Sequence, residues 1–184
     1  MDSARRTEWF FLAKWVLANI VGWAVAVRVC LAVGESAGGG DTASLVILVF
    51  IGPVIGAIVG TMQWVVLRRL VSWSGCWMLA SLVVCSVGWV AGLRYSLSWK
   101  EPFVLGAVIG ALIGIMQWLV LRPQVSQAGW WVLASIVGWG SFEVVFAARS
   151  VVGVATRGAI VGAVFGISTG TALVWLLQYP ITEA

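Results

Sequence analysis

Six long apolar stretches, at 15–33, 45–67, 76–93, 103–121, 130–148 and 158–177, alternate along the chain with short polar connectors. Each holds 18 to 23 residues. A helix rises about 1.5 Å per residue, so roughly 20 residues carry it across a ~30 Å hydrocarbon layer. The connectors have turn chemistry: GESAGGGD at 34–41, SWSG at 72–75, PQVSQAG at 123–129, and SWKEP at 98–102, where a proline stops one helix and starts the next. The pattern predicts an all-α, polytopic membrane helix bundle, a single domain over residues 1–184 with six transmembrane helices.

The pattern also repeats. GTMQWVVLR at 60–68 returns as GIMQWLVLR at 114–122, and WVLANIVGW at 15–23 returns as WVLASIVGW at 131–139. A middle copy reads WMLAS at 77–81 and VGW at 87–89, with four extra residues between its halves. Four residues are about one helical turn, which keeps both halves near the same face. The reading is three hairpins, 15–67, 76–121 and 130–177. A unit that crosses twice keeps its orientation in every copy, so the expected arrangement is pseudo-threefold about the membrane normal, with both termini on one side.

The second helix of each hairpin carries glycine at every fourth position: Gly52, Gly56 and Gly60; Gly106, Gly110 and Gly114; Gly158, Gly162, Gly166 and Gly170. Positions four apart share a helix face, and bare backbones there can approach closely enough to supply the van der Waals contact that binds helices in lipid. These ten glycines are expected to be packing faces, meeting one another or their hairpin partners. Ile109, beside Gly110, is expected to point outward.

Composition agrees with a lipid solvent: 61% of the residues are hydrophobic and 10% charged, against roughly 45–50% and 25% in soluble domains. The net charge of +4 comes from eleven basic residues scattered at helix ends, with no run or aromatic-interleaved patch, so nucleic acid is not an expected partner. Arg5, Arg6, Lys14, Arg68, Arg69 and Arg122 fall on the side of the termini, and Arg28, Arg94, Lys100, Arg149 and Arg157 on the other. This bias predicts cytoplasmic termini in a bacterial inner or thylakoid-type membrane. The polar start, 1–8, and the lack of a small-residue cleavage pattern behind the first stretch argue against a cleaved signal peptide.

Thirteen tryptophans are the other excess. Trp9, Trp15, Trp64, Trp73, Trp77, Trp99, Trp118, Trp130, Trp131 and Trp175 lie near the ends of apolar stretches, where indoles sit among headgroups. Trp23, Trp89 and Trp139 lie deeper, each after a glycine, and are expected to be large knobs against a small neighbour.

Catalytic constellations are not expected. The chain has no histidine, no paired carboxylates within a helical turn, no Gly-x-Ser-x-Gly elbow and no phosphate loop. Cys30, Cys76 and Cys85 sit in apolar segments without CxxC spacing, so they are packing residues and no metal site is expected. Two polar sets at membrane depth ask for an explanation. Arg28, Arg94 and Glu143 stand at similar levels and could form an intramembrane charge cluster, or lie near helix ends with the arginines snorkelling. Gln63 and Gln117 precede Trp64 and Trp118; they are expected to hydrogen-bond a neighbour such as Asn19, Ser81 or Ser135, and with Arg68 and Arg122 they are candidates for a lipid headgroup or pigment site. The third copy replaces the Gln-Trp pair with Thr169-Gly170.

The run GxxxGxxQWLVLR followed by GWWVLASIVGW, from Gly110 to Trp139, resembles a repeat of small uncharacterised multi-pass membrane proteins of bacteria, often cyanobacterial. The resemblance extends over 15–177, with the third hairpin departing from it, and implies the architecture without an activity. The reading that asks least of the residues is a non-catalytic integral membrane protein, a subunit or scaffold that self-associates or joins a larger membrane complex. The alternatives are a channel, transporter or membrane-perturbing effector, and a pigment- or lipid-binding protein. Membrane lipids and other membrane subunits are the expected partners, and no cofactor is required beyond a pigment or bound lipid in the last reading.

Overall fold

The computed structural model describes the backbone of residues 3–36, 40–96, 102–147 and 153–181, and the side chains of 5–36, 49–90, 103–104, 106–142, 145 and 153–181. Six helices run through these residues: α1 Ser3–Ser36, α2 Gly40–Leu67, α3 Ser74–Ser96, α4 Pro102–Leu121, α5 Trp130–Ala147 and α6 Val154–Leu176. Three of them, α1, α2 and α6, are long and apolar enough to cross a membrane. The described apolar runs of the others are shorter: Ser74–Val90, Gly106–Leu121 and Trp130–Phe142. Residues 98–101, the core of the SWKEP connector, and Arg149 lie outside the described residues.

Helix α1 starts well ahead of its apolar stretch, so the charged N-terminal segment is helical. The proline that opens α4 occupies the position where a missing N–H costs nothing. Pro53, inside α2, gives up one helical hydrogen bond, which neighbouring helices make tolerable in a packed bundle. At the ends of α2 and α4, backbone N–H groups at 70–71 and 124–125 donate to the carbonyls of Leu67 and Leu121, turning the chain without a long loop. Gln124 fastens the two turns together, accepting from Ser72 N at 2.8 Å and donating to Ser72 O at 3.2 Å. The C-terminal segment lies across the second turn: Ile181 N donates to Gln124 O and Ser126 N to Tyr179 O, each at 3.0 Å.

The helices follow one another around a ring. Each packs on its neighbours in the chain, and α6 closes on α1. The seams are of two kinds, and here the structure corrects the expected pairing. The glycine rows do not meet one another or their hairpin partners; each faces the first helix of the next hairpin. A Cβ built on Gly56 would stand 2.6 Å from Ser81 O, one on Gly110 2.6 Å from Ser135 O, and one on Gly162 2.5 Å from Asn19 O. Gly52, Gly106 and Gly158 meet the carbonyls of Cys85, Trp139 and Trp23 in the same way. The tight seams are therefore α2/α3, α4/α5 and α6/α1. Within the hairpins glycines meet side chains instead, as Gly22 meets Met62 and Gly138 meets Phe165.

Ile109 also departs from expectation. It is 5% exposed, in the core against Gly88; Val108 and Leu112 are the outward neighbours. A residue next to a seam glycine is turned by about 100° around the helix, and with Gly110 on the α5 seam that rotation carries Ile109 into the ring.

The outer surface is aliphatic: Leu17, Val25, Val83, Leu133, Val137 and Ile167 are all exposed. Inside are two clusters. One centres on Trp15, Trp77 and Trp131 with Leu67, Leu121 and Leu173; the other centres on Trp23, Trp139, Phe142 and Phe165 with Ile55, Val59 and Ile113.

Candidate functional site

The most ordered polar feature lies within the first cluster. Trp15, Trp77 and Trp131 open equivalent motifs on α1, α3 and α5. All three are fully buried, and their ring centroids lie 6.3, 6.3 and 4.9 Å apart pairwise. This corrects the expectation that they sit among headgroups. These three indoles lie near the ends of their apolar stretches but turn toward one another, whereas Trp9, Trp73, Trp130 and Trp175 are exposed as expected.

A buried indole N–H needs an acceptor. Across the α2/α3 seam, Trp77 Nε1 donates to Gln63 Oε1 at 2.9 Å, and across α4/α5, Trp131 Nε1 donates to Gln117 Oε1 at 3.0 Å. Each glutamine then spends its amide within its own hairpin. Gln63 Nε2 donates to Asn19 Oδ1 at 2.9 Å and Gln117 Nε2 to Ser81 Oγ at 3.1 Å. Asn19 and Ser81 in turn donate to the carbonyls of Trp15 and Trp77. One glutamine thus ties three helices together: Gln63 joins α1, α2 and α3, and Gln117 joins α3, α4 and α5. The expected hydrogen bonding to Asn19 and Ser81 is present; that to Ser135 is not.

The third copy shows why. Thr169 occupies the glutamine's place, accepts from Trp15 Nε1 at 3.0 Å and donates to Phe165 O at 2.6 Å. Its side chain is too short to extend further, and Ser135 Oγ, the counterpart of Asn19 and Ser81, is buried without a partner. Composition alone does not mark Thr169 as the counterpart of the glutamines. The signal that identifies it is its place three residues after Gly166, where Gln63 follows Gly60 and Gln117 follows Gly114.

Deeper in the bundle the indole nitrogens of Trp23, Trp89 and Trp139 are buried and unpartnered. Trp23 and Trp139 meet at 5.2 Å, and Phe142 packs on both Trp23 and Trp89. The four extra residues of α3 put Cys85 opposite Gly52, as Trp139 is opposite Gly106, and move Trp89 one turn on. These residues pack as the expected knobs, with Trp89 half-buried.

The remaining candidates separate. Arg68 and Arg122 lie exposed at the turns with their guanidinium groups over Trp64 and Trp118, 5.7 and 5.6 Å from the ring centres. They share no site with Gln63 and Gln117, which are buried and fully engaged. Arg28 is exposed and faces Glu35 at 3.9 Å, in the manner of a snorkelling side chain; the side chains of Arg94 and Glu143 lie outside the described residues.

No protein-family model, curated protein or solved structure matches the chain.

Proposed function

We propose that the protein is a non-catalytic integral membrane protein, spanning the bilayer six times as three pseudo-threefold hairpins with cytoplasmic termini, that acts as a subunit or scaffold through its outer surface. The observation that carries this reading is the filled axis. The three indoles of Trp15, Trp77 and Trp131 and the layer of Trp23, Trp139 and Phe165 occupy the middle of the ring. The indole N–H groups at the first level are taken up by Gln63, Gln117 and Thr169.

A conduction path needs polar groups facing a lumen, so the arrangement disfavours a pore within one chain. Six spans are supported by the way the shorter helices pack. Helix α3 lies along the glycine row of spanning α2, α5 packs on spanning α6, and α4 lies along α5 with its own glycine row; a helix seated along a spanning neighbour shares its slab. The aliphatic outer girdle is the solvent-facing surface that lipid permits and water does not.

The glycine faces are spent inside the ring, so association with other chains falls to the aliphatic girdle and the exposed indoles. Mass measurement of the purified protein in mild detergent, paired with ion flux from proteoliposomes, tests the reading. The expected result is an assembly heavier than one 19.6 kDa chain with its lipid and detergent, and no flux. A monomer that conducts ions would overturn it.

A further inference from the structure

The two kinds of seam shape the outside of the bundle. Glycine draws α2 to α3, α4 to α5 and α6 to α1, while side chains hold the helices of each hairpin apart, leaving outward clefts. One, of about 520 Å³, lies between α3 and α4, with Leu79, Val83 and Leu119 among its walls and Trp73 and Pro123 at its mouth. Another, of about 760 Å³, lies between α5 and α6, lined at the equivalent positions by Leu133, Val137 and Thr171, with Gln127 and Trp175 at its mouth. Both open at the end of the bundle that carries the tight turns.

The residues at the same positions of the first hairpin, Leu17, Val21 and Val65, are exposed, and Lys14 and Arg69 lie exposed at the same end. The described charges of this end are Arg5, Arg6, Lys14, Arg68, Arg69 and Arg122 against Glu8 alone. Trp73, 80% exposed, holds a left-handed backbone at φ 59° in the turn, which sets its indole at the cleft mouth.

From this we infer that the outward clefts of the second and third hairpins are phospholipid sites, each seating an acyl chain between its two helices, with an anionic headgroup drawn to the basic end of the bundle formed by Lys14, Arg68, Arg69 and Arg122. The inference rests on the membrane-spanning reading above. The cleft walls are apolar and lipid-facing, so an acyl chain is the matter that fills them. The basic end adds selectivity for a negative headgroup, and a basic residue near the surface enriches anionic lipid about fivefold. Indoles at the cleft mouths sit at headgroup depth.

The test is native mass spectrometry of the protein released from vesicles of equal parts phosphatidylcholine and phosphatidylglycerol. The wild type retains phosphatidylglycerol over phosphatidylcholine by about fivefold or more. Lys14→Gln with Arg69→Gln lowers that preference while leaving bound lipid. Val83→Trp and Val137→Trp, which fill the clefts from exposed positions and leave the interior intact, lower the number of lipids retained. Equal retention of the two lipids, or undiminished retention by the cleft-filling variants, overturns the inference while the spanning reading stands. A protein that fails to insert into the vesicles removes both.

Discussion

Trp77 donates its indole N–H to Gln63 Oε1 at 2.9 Å, across the seam that joins one hairpin to the next. The bond is buried, and the glutamine's other end is held by Asn19 at 2.9 Å. Both contacts pass between helices, so the pair acts as a cross-tie in a ring whose core is otherwise mostly apolar.

Removing the tie leaves two buried groups unpaired. An unsatisfied buried donor or acceptor costs about 1–3 kcal/mol, so Gln63→Leu, which leaves two, is expected to destabilise by roughly 2–6 kcal/mol. Thermal unfolding in mild detergent checks this. Trp77→Phe, which removes the donor, should reduce the further cost of Gln63→Leu; if the two effects add independently, the bond is not what couples them.

Thr169→Gln is expected to stabilise. Ser135 Oγ lacks a partner because threonine cannot reach it, and an amide at 169 would supply one while still accepting from Trp15. The gain is about 1 kcal/mol, read as a raised unfolding temperature. A large loss would show that the third copy is not shaped like the first two.

The glycine rows make a graded prediction. Gly110→Leu drives a side chain into Ser135 O, 2.6 Å from where its Cβ would stand, and should destabilise by at least ~3 kcal/mol because backbone cannot give way as a side chain can. Val108→Leu, at an exposed neighbouring position, should change stability by no more than about 0.5 kcal/mol. Fluorescence-detected size-exclusion of the two variants after heating separates them; equal behaviour contradicts the seam.

The cysteines report accessibility without further design. Cys76 is exposed, Cys30 half-buried and Cys85 buried. Maleimide mass shifts in detergent should appear first at Cys76 and at Cys85 only after denaturation. Early modification of Cys85 would mean that α3 does not pack on α2 as described.

Much of this was legible in the chain, and the parts that were not share one cause. The glycine spacing identifies a face, and Gln63 at membrane depth demands a partner that Asn19 can supply, because both follow from residue type and spacing alone. What the spacing does not contain is the azimuth of one helix relative to another. Gly56 could have faced its hairpin partner, and the choice of Ser81 belongs to the ring as a whole. The same gap placed Ile109 outside and Trp15, Trp77 and Trp131 among headgroups: their depth is a sequence property, but the direction in which they turn is set by the neighbours that surround them.

The last hairpin closes on the first, with the glycine row of α6 seated against α1. Half-buried Glu8 and exposed Gln178, on opposite sides of that closure, meet at 3.1 Å. In a variant lacking the native cysteines, Glu8→Cys with Gln178→Cys should be joined by a short bis-maleimide within a single chain in native membranes. No link, or a link formed only between two chains, would contradict the closed ring.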